Sequence, residues 1–170
     1  MSETLEPALP AELDRKAEQL MRRVCDLELR VATAESCTGG LFASLLTDIE
    51  GCGHGFDRGF VTYSDVAKQE ALGLPSEMTK RNSAVTAEVA RAMAEGALAN
   101  SQADIVVSVT GFAGPAGDGM EEGLVHFACA RRGRPTVCRE EHFGAIGRGP
   151  VRIAALGAML DMLEEVLEKS

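Results

Sequence analysis

The sequence predicts an α/β fold, a single three-layer α/β/α domain with a mixed central sheet, and three observations carry that prediction. Helix-period and strand-like segments alternate through the first two thirds of the chain. A hairpin signal and one long helix then close it, and no internal repeat or linker divides it. The 170 residues are enough to bury one core of ordinary size.

Residues 1–10 read as a flexible N-terminal tail and residues 11–170 as the folded domain. From Ala11 to about Leu27 the apolar residues Leu13, Ala17, Leu20, Met21, Val24 and Leu27 recur at helical spacing. Arg30 to Glu35 is a short β-tolerant run that ends on Ser36 and two glycines. Leu41 to about Ile49 reads as a helix with Thr38 as its expected cap, and Gly51 to Gly55 as a loop. Phe56 to Tyr63 alternates as a strand does. Ser64 and Asp65 then open a helix that Gly73 and Pro75 end.

Thr86 starts an Ala-rich helix reaching about Asn100. Asp104 to Thr110 has the unbroken apolar character of a buried strand, and a glycine-rich loop runs from Gly111 to Gly123. Leu124 to Ala130 and Thr136 to His142 are two strands joined by Arg131-Arg132-Gly133-Arg134-Pro135. Pro150 suits the first turn of the last helix, with Arg148 just before its start.

Composition narrows the function. The chain is 45% apolar and 25% charged, as soluble globular domains are. No apolar run approaches the roughly 20 residues a bilayer requires, and no basic, secretory-type leader opens it, so a cytoplasmic protein without membrane partners is expected. A net charge of −9 argues against nucleic acid as a partner, because phosphate backbones are bound by summed positive charge. One phosphate on a small molecule can still be held by a helix N-terminus and an arginine. The five cysteines and three histidines show no metal-site spacing, so neither a metal nor a cofactor is expected.

Four segments could carry chemistry. In Glu35-Ser36-Cys37-Thr38-Gly39-Gly40 a hydroxyl projects from a strand–turn–helix junction, where turn and first-helical-turn amides could face an oxyanion. By pattern alone a simple helix cap fits equally well. Cys37 is a competing nucleophile, or a buried inert thiol. In Tyr63-Ser64-Asp65-Val66-Ala67-Lys68, Tyr63 and Lys68 could face the same end of the sheet, and a desolvated lysine can serve a serine as base. The third is Thr110-Gly111-Phe112-Ala113-Gly114-Pro115, whose glycines permit close approach to a ligand phosphate or ribose. In the fourth, Arg148 at the last helix could hold an anion.

Taken in this order, the segments Ala34 to Gly40, Phe60 to Ser64 with Lys68, Thr110 to Pro115 and Gly123-Leu124-Val125 resemble the CinA C-terminal domain family. The resemblance runs from about Ala17 to the C-terminus. It implies a nicotinamide mononucleotide deamidase, which turns the nucleotide and water into nicotinate mononucleotide and ammonia. It further implies that Ser36 is the nucleophile and Lys68 its base. Tyr63 would relay a proton or hold Lys68, and Arg148 would keep Lys68 neutral or bind the phosphate.

Substrate binding is expected at Thr38, Gly39 and Gly40 and at Thr110, Gly111, Ala113 and Gly114. The expected partners are the small pyridine nucleotide and further copies of the chain, in a homo-oligomer. The chain departs from the family in its shorter loop, where Asp118 to Glu122 leads directly into Gly123, and in Ile146-Gly147-Arg148 before the last helix. Two other functions stay open: a non-catalytic interaction module linked to competence or DNA damage, and an amidase for another pyridine carboxamide.

Overall fold

The computed structural model describes residues 9–80 and 84–169. Its elements run α1 (Ala11–Asp26), β1 (Val31–Glu35), α2 (Leu41–Thr47), β2 (Phe56–Val61), α3 (Asp65–Leu72), α4 (Ser76–Thr79), α5 (Ala87–Ala99), β3 (Ile105–Gly111), β4 (Leu124–Arg131), β5 (Val137–His142) and α6 (Arg148–Glu168). Among the described residues the strands form one sheet in the order β2-β1-β3-β4-β5. β2, β1 and β3 are parallel, and β4 and β5 continue antiparallel, so the sheet is mixed.

Side-chain alternation divides the sheet into two faces. Val31, Ile105, Val107, Val109, Val125 and Phe127 pack beneath α1, α2 and α6. Ala32, Ala34, Val106, Ala128 and Ala130 meet α5 on the other face. Covered on both sides, β1 is buried throughout and β3 nearly so, which is why both lack a polar stripe. β2 and β5 form the edges and carry Asp57, Arg58, Arg139, Glu140 and Glu141, charges that blunt an exposed ladder.

The sheet-facing side of α5 is Val89, Ala90, Met93, Ala94 and Ala97, mostly small residues. α3 docks on this helix at Gly96, where a β-carbon would stand 2.1 Å from the Leu72 carbonyl oxygen. That glycine sets the seat of α3 and therefore of Lys68.

Local boundaries differ from expectation in physically instructive ways. Thr38 does not cap α2; the N-cap is Gly40 in the left-handed region, and the capping oxygens come from Glu35. The strand from Phe56 stops at Val61, leaving Tyr63 in the link to α3. Arg148 is the first residue of α6 rather than its predecessor, with Gly147 as N-cap. Gly53–Gly55 forms one 3-10 turn within the expected loop, and the short α4 was not anticipated. Residues 1–8 of the expected tail lie outside the described residues, while Leu9 is buried.

Candidate active site

The parallel strands β1, β2 and β3 end side by side, and the chain leaves β1 toward β2 before crossing to β3. In α/β sheets a reversal of this kind opens a crevice at the carboxyl ends. A cleft of about 370 Å³ lies there. Ser36, Tyr63, Asp65, Lys68 and Arg148 line it together with residues 110–115.

Ser36 follows directly from β1, its amide donating to the Val109 carbonyl of β3 at 3.1 Å. Its Oγ lies 3.1 Å from Lys68 Nζ, and Nζ donates to the carbonyls of Thr62 (2.9 Å) and Tyr63 (3.3 Å). Two of the three partners can only accept. An ammonium can donate to all three oxygens; as the free amine, with two hydrogens and one lone pair, Lys68 would give the hydrogens to the two carbonyls and turn the lone pair to the Ser36 hydroxyl. Lys68 is 1% exposed. Burial pushes its pKa below the ordinary lysine value, with the negative charge of Asp65 acting in the opposite sense.

The turn beneath Ser36 is built by Glu35. Its buried carboxylate accepts from the Thr38 hydroxyl (2.6 Å) and from the amides of Gly40 (3.2 Å), Phe42 (3.1 Å) and Ala43 (2.8 Å). Those amides are the ones a helix start leaves unpaired, and the carboxylate both caps them and complements the helix dipole. The first turn of α2 is therefore occupied and does not face the cleft as an oxyanion site. Among the described residues, the amides of Cys37 and Thr38 donate to no carbonyl. Arg152 braces the same turn from α6, its Nε donating to the Cys37 carbonyl at 2.8 Å. The Cys37 thiol is buried, which pushes its pKa up to about 12 and leaves it protonated.

Opposite the turn, Gly111 and Gly114 are glycines for steric reasons. A β-carbon on Gly111 would stand 2.7 Å from Val125 Cγ2, and one on Gly114 would stand 2.6 Å from Arg148 Nη2. The Arg148 guanidinium thus lies on the loop backbone rather than against Lys68, whose lowered pKa is the work of burial. Thr110 donates its hydroxyl to the Ala84 carbonyl at 2.7 Å.

Of the residues expected at the site, Ser36, Tyr63, Lys68, Thr110, Gly111, Ala113, Gly114 and Arg148 line the cleft. Thr38, Gly39 and Gly40 do not, because they form the turn behind Ser36. The sequence pattern assigns no place in the site to Glu35, Asp65 or Arg152. Glu35 offered one legible signal: as the third residue of the Val31, Thr33, Glu35 alternation, it points toward α2. Arg152 stands one helical turn beyond Arg148 on α6.

Fold and site define a single α/β domain whose cleft, at the ends of parallel strands, sets a serine hydroxyl against a buried lysine. The CinA C-terminal domain model matches residues 13–167, and the chain belongs to that family. The competence/damage inducible protein CihA from Agrobacterium tumefaciens is 41% identical, with a TM-score of 0.89 over 94% of this chain and 98% of that one. A competence-damaged protein (CinA) superfamily structure from Escherichia coli is 35% identical, with a TM-score of 0.84 over 91% and 90%.

A CinA-like protein from Akkermansia muciniphila is 51% identical over 118 residues, which are 66% of this chain and 28% of that protein. One from Syntrophus aciditrophicus is 42% identical over 168 residues, or 97% and 37%. The chain thus spans only a part of those longer proteins. Among the described residues no helix is long and apolar enough to cross a membrane.

Proposed function

We propose that this chain hydrolyses the carboxamide of nicotinamide mononucleotide to nicotinate mononucleotide and ammonia. One observation carries the reading: a lysine amine, buried and held by two carbonyls, lies 3.1 Å from a serine hydroxyl in a cleft of small-ligand size. A structural lysine at the surface needs no such seat. Lys68, as the free amine, takes the Ser36 proton while Oγ attacks the carboxamide carbon. The turn amide of Cys37, a residue that lines the cleft beside Ser36, is the donor left for the resulting oxyanion. Lys68 then returns the proton to the departing nitrogen, which leaves as ammonia. In the second half Lys68 takes a proton from water as the hydroxide adds to the Ser36 ester, then returns that proton to Ser36 Oγ as it leaves; the carboxylic acid product gives its own proton to solvent, which restores the hydroxyl and the free amine.

Arg148, laid over Gly114 beside the start of α6, is the group best suited to a phosphate, since the start of α2 is filled by Glu35. The test is ammonia release from the purified chain with nicotinamide mononucleotide, free nicotinamide and other pyridine carboxamides. Highest catalytic efficiency on the nucleotide is expected. No release from any of them overturns the reading, and equal efficiency on nucleotide and free base removes the phosphate site.

A further inference from the structure

Ser36 is flanked by segments from the two neighbouring strands. On the β3 side stand the loop 110–115 and Arg148; on the β2 side stand Tyr63 and Asp65. The family resemblance implies a proton relay or a hold on Lys68 for Tyr63, but the structure divides this residue in two. Its main-chain carbonyl holds Lys68, a task any side chain would leave intact. The residue lines the cleft and is 61% exposed, so a lone aromatic of this size gains little there from burial.

Asp65, two residues on, is the only acidic residue lining the cleft among the described residues. Its charge favours the ammonium form of Lys68 and so works against the base the site needs. A carboxylate that opposes its own catalytic base calls for a counterweight in the ligand. An aromatic face and a carboxylate on one wall both attract positive charge, the first through its quadrupole and the second directly. Arg148, the cation on the other wall, fits the opposite end of a ligand that carries both charges.

We propose that Tyr63 and Asp65 are specificity-determining residues that select a pyridinium ring, the cationic state produced when the ring nitrogen bears a substituent, over a neutral pyridine. The inference rests on the pyridine-carboxamide reading of the site, and it adds that the charge of the ring, separately from any phosphate, is recognised.

Binding tests it without relying on turnover. Tyr63 is the only tyrosine and the chain has no tryptophan, so intrinsic fluorescence reports this ring alone. The probes are 1-methylnicotinamide, a cation, and nicotinamide, its neutral counterpart, neither with ribose or phosphate; free tyrosine corrects for their absorbance. The wild type should bind the cation about tenfold more tightly. Asp65→Asn, followed by fluorescence, and Tyr63→Leu, followed by calorimetry, should each reduce that preference about threefold.

Tyr63→Phe keeps an aromatic face and should keep the preference. Glu12→Gln removes the same charge from the exposed side of α1 and should also keep it, separating a local effect from the net charge of −9. Equal affinity for the two probes, a preference that survives both cleft variants, or no saturable binding of the cation overturns the proposal. Ammonia assays on the same samples separate the two readings. Turnover with equal affinities sinks this inference alone, whereas cation preference without turnover on any carboxamide sinks the hydrolase reading alone.

Discussion

Ser36 and Tyr63 follow the ends of adjacent parallel strands, yet the serine is 8% exposed and the tyrosine 61%. The Ser36 turn is tied on every side: to β3 through Val109, to α6 through Arg152, and to itself through four hydrogen bonds on the Glu35 carboxylate. The Tyr63 segment is tied mainly through its backbone, leaving ring and neighbouring carboxylate to the cleft. The contrast separates two tasks. Groups that must meet a reacting atom within tenths of an ångström are built into the floor, where each is over-determined. Groups that sort ligands stand on the rim, where they can be exchanged at little cost to the fold.

The comparison breaks most sharply at the floor. Ser36→Ala should lower ammonia release by about three orders of magnitude or more with the fold intact by circular dichroism. Lys68→Arg should be as inactive as Lys68→Ala, because an arginine cannot give up its proton. The pH profile gives an independent check. Burial lowers the folded-state pKa of Lys68, so activity should rise as pH climbs through that value. Between it and the unfolded value, the unfolded chain holds more protons, so stability relative to Lys68→Met should also rise with pH. A flat rate profile with near-normal Lys68→Arg turnover would make the lysine an electrostatic support.

Glu35→Gln should come next, since an amide cannot accept at four places without turning its own N–H groups on other donors. A loss of about 2–4 kcal/mol in denaturant unfolding is expected, with a fall in kcat larger than any change in KM. A variant as stable as the wild type would show that α2 starts correctly without the carboxylate. Gly114→Ala should displace the Arg148 guanidinium and raise KM for the nucleotide about tenfold, leaving kcat on free nicotinamide nearly unchanged. Cys37→Ala should be the mildest, within about twofold in kcat, because a thiol with a pKa of about 12 is no nucleophile at neutral pH. Loss of turnover there, with Ser36→Ala still active, would transfer the chemistry to the thiol.

Much of this was legible in the chain. The strand–turn–helix setting of Ser36 and the helical offset from Tyr63 to Lys68 are local patterns, and local geometry follows from them. The unbroken apolar run of β3 and the Arg131–Pro135 hairpin turn likewise declare the middle and far side of the sheet. What stayed hidden depends on contacts distant in sequence or on side-chain direction. Thr38 looks like a cap until the helix folds back onto Glu35, whose longer side chain takes the amides and the threonine hydroxyl with them. Arg152 reaches the nucleophile turn from 115 residues away, a contact no spacing rule contains. Tyr63 lines the cleft, but spacing cannot separate the work of its carbonyl from that of its ring.

The carboxylate of Glu35 also governs how the nucleophile turn behaves in time. Amides at the start of a helix ordinarily fray and exchange with solvent early. Here those of Gly40, Phe42 and Ala43 are held by a buried anion, so deuterium should enter them only when α2 itself detaches from the sheet. The serine hydroxyl is thereby held in position, and a ligand entering the cleft would meet a turn that is already assembled.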